Sequence, residues 1–131
     1  MLNIPQPLAI AVDRIHPDTL PGYVHLKVID LDNQVMFYQQ AIGLQLNWRE
    51  GNSAGLGIEG RDIVRLTQIA KGRRYHGVTG IYHFAILFPK RRELARVVAR
   101  LFSMRWQNYP TDHLMTKTTY VDDPEGNTIE L

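Results

Sequence analysis

The segments YVHL at residues 23–26 and IYHF at residues 81–84 match each other, and each opens one half of the chain. A second match closes the halves, because DIVRL at residues 62–66 aligns with NTIEL at residues 127–131. An unrelated α+β domain has no reason to reproduce both matches in the same order. The sequence therefore contains an internal repeat, which predicts two copies of one structural unit.

The same elements are predicted in each half: a strand, a helix and three further strands. In the first half, Asp32 is the predicted N-cap of the helix and Gly43 is its left-handed stop. The predicted strands are 22–28, 44–49, 54–58 and 63–69 in the first half, and 80–88, 106–109, 115–121 and 128–131 in the second. In the second half the helix follows Pro89, and its apolar stripe from Leu94 to Phe102 is predicted to be core rather than a partner surface.

These elements predict an α+β fold of two tandem βαβββ modules that form a cupped, mixed β-sheet cleft with the helices outside. Residues 1–21 carry four prolines and read as an N-terminal arm. Residues 22–131 form a single predicted domain, with module one at 22–70 and module two at 80–131. The hairpin turn between the last two strands is predicted at 123–127, where proline, glycine and asparagine favour a turn.

Composition limits the functional classes. The 131 residues suit one domain, and 44% apolar with 21% charged residues is ordinary for a globular protein. The absence of cysteine excludes thiolate metal sites and cysteine nucleophiles, and it fits a cytoplasmic protein. A net charge of +2 argues against nucleic acid as the main partner, and the apolar run at 8–12 is too short to span a membrane.

The repeat also brings four polar side chains into correspondence. If the first and last strands of each module are neighbours, His25 lies beside Arg65 and His83 lies beside Glu130. The separations are similar, at 40 and 47 residues respectively. Pairing the modules would direct all four side chains towards one centre, where two imidazoles and one carboxylate form the ligand set of a facial triad for Fe(II), or for Mn(II).

A motif in the second half points to a family. From Thr111 the chain reads Thr-Asp-His113, then five residues to Thr119-Tyr120, two residues to Asp-Pro-Glu-Gly at 123–126, and finally Glu130. This pattern is similar to the signature of the extradiol ring-cleaving dioxygenases, and it departs from that signature only at Thr119. The chain thus resembles the vicinal oxygen chelate (glyoxalase, bleomycin resistance and dioxygenase) superfamily over about residues 16–131, most closely a catechol-2,3-dioxygenase-type half.

The resemblance implies a function and a role for each matching residue. His25, His83 and Glu130 would be metal ligands, His113 would steer the bound dioxygen, and Tyr120 would hydrogen-bond a substrate oxygen. The implied reaction inserts both atoms of dioxygen into a small aromatic diol next to its two hydroxyls, with Fe(II) or Mn(II) as cofactor. Related two-module chains often pair, which implies a homodimer.

The sequence departs from the pattern of these dioxygenases in several places, so other functions stay open. The family's additional acid–base histidine is missing from the stretch 65–69, and the enzymes resembled usually have four modules, so the chain could be one half of a longer protein. An Arg65–Glu130 ion pair would fill the cavity without metal. That arrangement would suit a bleomycin-resistance-like binding protein or a degenerate, non-catalytic domain. A glyoxalase-like lyase or isomerase is disfavoured, because Arg65 stands where such enzymes place a fourth ligand.

Overall fold

The computed structural model of the chain describes residues 14–112, 114 and 117–131. The first half contains β1 (Val24–Val28), α1 (Leu31–Phe37) with a π-helical continuation (Tyr38–Ile42), β2 (Gln45–Glu50), β3 (Ser53–Ile58) and β4 (Arg61–Gln68). The second contains β5 (Phe84–Ala85), α2 (Arg91–Ser103), β6 (Asn108–Asp112), β7 (Lys117–Asp122) and β8 (Thr128–Glu130). The predicted βαβββ repeat is confirmed.

Each module builds a four-stranded mixed sheet, and the two sheets have the same topology. The strand orders are β1-β4-β3-β2 and β5-β8-β7-β6. In both sheets the first and last strands of the module are parallel neighbours, while the remaining pairs are antiparallel. The predicted adjacency of first and last strands is therefore confirmed.

The first helix begins and ends at residues with clear local causes. The Asp30 side chain accepts a hydrogen bond from the backbone N–H of Asn33 at 3.0 Å, so Asp30 is the N-cap and the prediction of Asp32 is wrong. The cap lies two residues earlier because the helix starts directly after the bend that ends β1. At the other end, Gly43 adopts φ 95°, which is the predicted left-handed stop.

One face of each sheet is buried against the helices. In module one, Val64 and Leu66 of β4 pack there, and in module two Val121 and Ile129 do so. Because side chains alternate along a strand, Arg65 and Glu130 lie on the opposite face, which we call the open face. The helix stripe of module two is only partly core, since Phe102 is 62% exposed although the neighbouring Leu101 is buried.

The modules are joined through the turn at 123–127. The Tyr38 hydroxyl donates to Asp123 Oδ2 at 3.2 Å, and both side chains are buried. The Glu125 carboxylate accepts hydrogen bonds from the backbone N–H groups of Ile29 and Asp30, at 2.8 to 3.0 Å. The predicted turn thus also anchors module two to the end of β1.

The largest difference from the predicted elements is the length of β5. A strand was expected over 80–88, but only Phe84–Ala85 is paired. Its partner β8 has three residues, of which Ile129 and Glu130 pair with β5. Tyr82 before the pairing and Leu87 after it are exposed to 89% and 95%. No helix within the described ranges is long and apolar enough to cross a membrane.

The buried link between Tyr38 and Asp123 predicts a measurable loss of stability. Burial, and then the neighbouring Asp123 carboxylate, raise the pKa of the Tyr38 hydroxyl, so it stays a donor. Tyr38→Phe should lower the free energy of unfolding by about 1 to 3 kcal/mol, since it removes one hydrogen bond to a buried carboxylate. Urea unfolding measures this change. Tyr75→Phe at an exposed position should change it by less than about 0.5 kcal/mol. Equal stability of Tyr38→Phe and wild type would contradict the assigned link.

Candidate functional site

Three polar side chains of module two lie together on the open face of its sheet. His83 Nε2 is 3.2 Å from Glu130 Oε2, and both side chains are partly exposed. Tyr120 is the cross-strand partner of Glu130, and its ring packs edge-on against His83 with the centroids 5.8 Å apart. The predicted proximity of His83 to Glu130 is thus present in the structure, and Tyr120 completes the cluster.

The environment of Tyr120 keeps its hydroxyl protonated. Desolvation raises the pKa of Tyr120, and the nearby Glu130 carboxylate raises it further because a phenolate there would be repelled. A protonated phenol can donate a hydrogen bond to an oxygen of a bound molecule. The cluster therefore combines one donor, one carboxylate and one imidazole on a surface that solvent reaches.

The corresponding position of module one holds a different pair. His25 lies directly opposite Arg65 in the register of β1 and β4. The His25 Nε2 atom is 2.9 Å from the hydroxyl of Thr67, which in turn lies 2.9 Å from the hydroxyl of Ser53. His25 is therefore engaged in a hydroxyl chain of its own module.

Arg65 is paired within module one. Its Nε donates to Asp62 Oδ2 at 2.6 Å, and its guanidinium carbon lies 3.7 Å from the centroid of the Tyr23 ring. The predicted Arg65–Glu130 ion pair is wrong, because Arg65 pairs with Asp62 of its own strand and Glu130 contacts His83. The hydrogen bond to Asp62 also raises the pKa of Arg65, which stays charged.

Asp62 organises the first module's open face. Its side chain is 5% exposed, and its oxygens accept hydrogen bonds from Asn47 Nδ2 and Trp48 Nε1 at 2.9 Å, besides the one from Arg65. Burial alone would raise the pKa of Asp62, but these three hydrogen bonds outweigh it and hold the pKa below the ordinary value.

Room for this arrangement comes from Gly55, the register partner of Arg65 on β3. A Cβ at that position would lie 2.2 Å from Trp48 Nε1 and 2.7 Å from Asp62 Oδ1. No pattern in the sequence pointed to a role for Gly55, Trp48 or Asp62. Asp62 falls between the predicted strands 54–58 and 63–69, whereas it belongs to β4, next to a register irregularity at Leu56 and Gly57.

The predicted metal ligands are only partly brought together. His83 and Glu130 are in contact, but among the described residues no three histidine or acidic side chains gather closely enough to hold a metal ion. The two copies of the repeat also differ in register, since Arg65 faces His25 whereas Glu130 faces Ala85, two residues after His83. His113, the predicted dioxygen-steering residue, lies outside the described residues.

Comparison with known proteins identifies the family. Residues 21–131 match the model of the Glyoxalase/Bleomycin resistance protein/Dioxygenase superfamily. The chain belongs to this superfamily. Its fold agrees with that of superfamily members: a lactoylglutathione lyase from Agrobacterium tumefaciens is 20% identical, with a TM-score of 0.68 over 88% of this chain and 93% of that one. A superfamily domain from Frankia is 17% identical, with a TM-score of 0.72 over 86% and 96%.

A sequence relative carries a more specific name. A catechol-2,3-dioxygenase from Bacillus subtilis is 35% identical over 120 residues, which is 89% of this chain. The match covers 42% of that protein, so the chain spans less than half the length of this curated relative.

The hydrogen bonds to Asp62 make a prediction about acid stability. A carboxylate with a lowered folded pKa stabilises the fold above the ordinary Asp pKa of 3.8, and this stabilisation is lost as the pH falls through the folded value. Asp62→Asn should therefore be less stable than wild type at about pH 7 and should approach it at about pH 2. Chemical unfolding at a series of pH values measures the difference. Asp18→Asn, at a side chain 90% exposed, is the control with little effect at any pH. A constant difference between Asp62→Asn and wild type would contradict the assignment.

Proposed function

We propose that the chain is a metal-dependent extradiol-type dioxygenase domain that cleaves a catechol-like aromatic diol. The observation that carries this proposal is the contact of His83 with Glu130 on the open face, with Tyr120 beside them. Support comes from the motif that ends at Glu130 and from the 35% identity to a protein named catechol-2,3-dioxygenase. Because that relative is more than twice as long, the proposal extends to this domain acting as one half of a longer working enzyme.

The cofactor proposed is Fe(II), or Mn(II), which would supply a centre where the diol and dioxygen meet. The donor types suit it, since imidazole and carboxylate are the ligands of such sites. The geometry fits only in part: His83 and Glu130 occupy neighbouring positions, whereas His25 is bonded to Thr67 and does not join them in the described structure. The metal roles of His25, His83 and Glu130 therefore stay a prediction.

The side chains of the His83–Glu130–Tyr120 cluster can each interact with a bound diol in a specific way, directly or through the metal. Glu130 and His83, which are 3.2 Å apart, would serve as ligands of the metal that binds a first substrate oxygen. The Tyr120 hydroxyl, kept protonated, can donate to the second substrate oxygen and fix its orientation. His113 keeps the proposed role of steering dioxygen.

A metal-free small-molecule binding domain is the second candidate. It is favoured by the lack of a three-ligand cluster among the described residues and by the engagement of His25 with Thr67. A glyoxalase-like lyase with four ligands has less support, because Arg65 occupies the position opposite His25 and is bound to Asp62. The likeness to the lyase from Agrobacterium tumefaciens, at 20% identity, concerns the fold alone.

The proposal also covers the extent of the domain, its ligand, its assembly and its compartment. We infer a single domain over 22–131, a small aromatic molecule as the binding partner, a homodimer as the assembly and the cytoplasm as the compartment. The dimer is inferred from the resemblance, and the compartment from the absence of cysteine in the sequence.

Metal content decides between the two candidates. After anaerobic loading with Fe(II) or Mn(II), elemental analysis should find near-stoichiometric metal, and catechol should give a yellow ring-cleavage product. His83→Ala and His25→Ala should each lose the metal while circular dichroism shows an intact fold. His16→Ala, at an exposed position, should keep it. Unchanged metal in His25→Ala would exclude His25 as a ligand, and a metal-free wild type would leave the binding domain as the function.

Tyr120 can be tested apart from the metal ligands. Tyr120→Phe should lower kcat/KM for catechol by roughly a hundredfold, because it removes a donor aimed at a substrate oxygen. Metal content should stay at the wild-type level, which a loss of fold would not allow. Steady-state kinetics with parallel metal analysis measure both quantities, and Tyr75→Phe serves as the exposed control. An unchanged kcat/KM would remove Tyr120 from the site.

A further inference from the structure

The open face of module one carries a second cluster of polar and aromatic side chains, formed by different residues from the His83–Glu130 cluster. At its centre is Arg65, whose side chain is 37% exposed. We propose that this face binds a small aromatic carboxylate, with the terminal nitrogens of Arg65 holding the carboxylate group.

The position of the guanidinium is fixed from behind. Asp62 accepts its Nε–H at 2.6 Å and is itself held by Asn47 and Trp48. Three donors thus occupy the buried carboxylate, so Arg65 loses little further freedom when it binds a ligand. A guanidinium that is already oriented is the usual basis of tight carboxylate recognition.

The terminal nitrogens of Arg65 are available for a ligand. A guanidinium has five N–H donors; the Nε–H of Arg65 donates to Asp62, which is the only carboxylate that Arg65 pairs with in the described ranges, and its face packs on the Tyr23 ring. Two parallel N–H groups match the two oxygens of a carboxylate. Lys27, which follows His25 on the open face of β1, is exposed and forms no ion pair with a described residue, so it adds positive charge nearby.

The walls of the site favour a planar, aromatic ligand. The Tyr23 ring, 45% exposed, lies under the guanidinium at 3.7 Å, and the Trp48 ring is 5.7 Å from the same carbon. The His25 ring stands edge-on to Tyr23, with 6.4 Å between centroids. Aromatic rings near a cation suit a carboxylate attached to a ring better than a fully hydrated inorganic anion.

The positions of the Trp48 indole and of Asp62 depend on the glycine at residue 55. Gly55 leaves room for the Trp48 indole and for Asp62, because a Cβ there would lie within 2.7 Å of both. A sheet position opposite a charged residue has no general need for glycine. Its presence is explained by the packing of Trp48 and Asp62 against β3, which in turn sets the direction of Arg65.

The proposal is tested by calorimetric titration of the metal-free protein with benzoate, and with benzamide as its neutral counterpart. Benzoate should bind saturably and benzamide roughly tenfold more weakly or not at all, because the amide lacks the charge that the guanidinium recognises. Arg65→Gln should weaken benzoate binding about tenfold or more, and Arg65→Lys should weaken it to an intermediate degree. Arg49→Gln, which removes an arginine paired with Asp32 on the surface, is the matched control and should bind as wild type does.

The outcomes are decisive in either direction. No saturable benzoate binding, equal affinity for benzamide, or unchanged affinity in Arg65→Gln would each overturn the proposal. Should Arg65→Gln fail to fold, Arg65→Lys keeps the pairing with Asp62, and wild-type affinity in that variant would overturn it equally. The titration needs neither metal nor dioxygen, so it stands or falls independently of ring-cleavage activity.

Discussion

The parallel pairing of the first and last strands in each module is the constraint on which the rest of the structure depends. Parallel strands cannot be joined by a tight turn and need a crossover connection, which here contains the helix. The helix therefore packs on one face of the sheet. The other face stays open, and side chains from the beginning and end of the module meet there. Both clusters of this protein, His25 with Arg65 and His83 with Glu130, arise from this one pairing.

The two modules carry side chains of opposite charge at the aligned position of their last strands. Module two places a carboxylate at Glu130, whose near neighbours are an imidazole and a phenol. Module one places a cation at Arg65, whose Nε–H is hydrogen-bonded to Asp62 of the same strand. Because Asp62 is buried and fully hydrogen-bonded, Arg65 has no need of Glu130, and Glu130 remains available to other partners. The ion pair between Arg65 and Glu130 is thus absent from the described residues, where Glu130 contacts His83.

Features set by local pattern and by repetition were predictable from the sequence. The repeat predicted the βαβββ order and the adjacency of first and last strands, and Gly43 marked the end of the first helix because its φ of 95° suits glycine. The partner of Arg65 was not predictable, since a register irregularity in β3 decides that Asp62 is within reach. The two-residue offset of His83 from Ala85 likewise depends on how β5 and β8 pair, which no spacing in the chain reveals.

The motif that resembles the dioxygenase signature contains two kinds of residue. Asp123, within its central segment, is buried and accepts hydrogen bonds from Tyr38, Glu125 N and the Asn127 side chain, so its task is to form the turn and to anchor module two on module one. Among the described residues of the motif, Tyr120 and Glu130 lie on the open face. A match to the central segment is therefore evidence for the fold, because it specifies the junction of the modules. The proposed chemistry rests instead on Tyr120, Glu130 and the histidine that Glu130 contacts, because these side chains lie together on the open face.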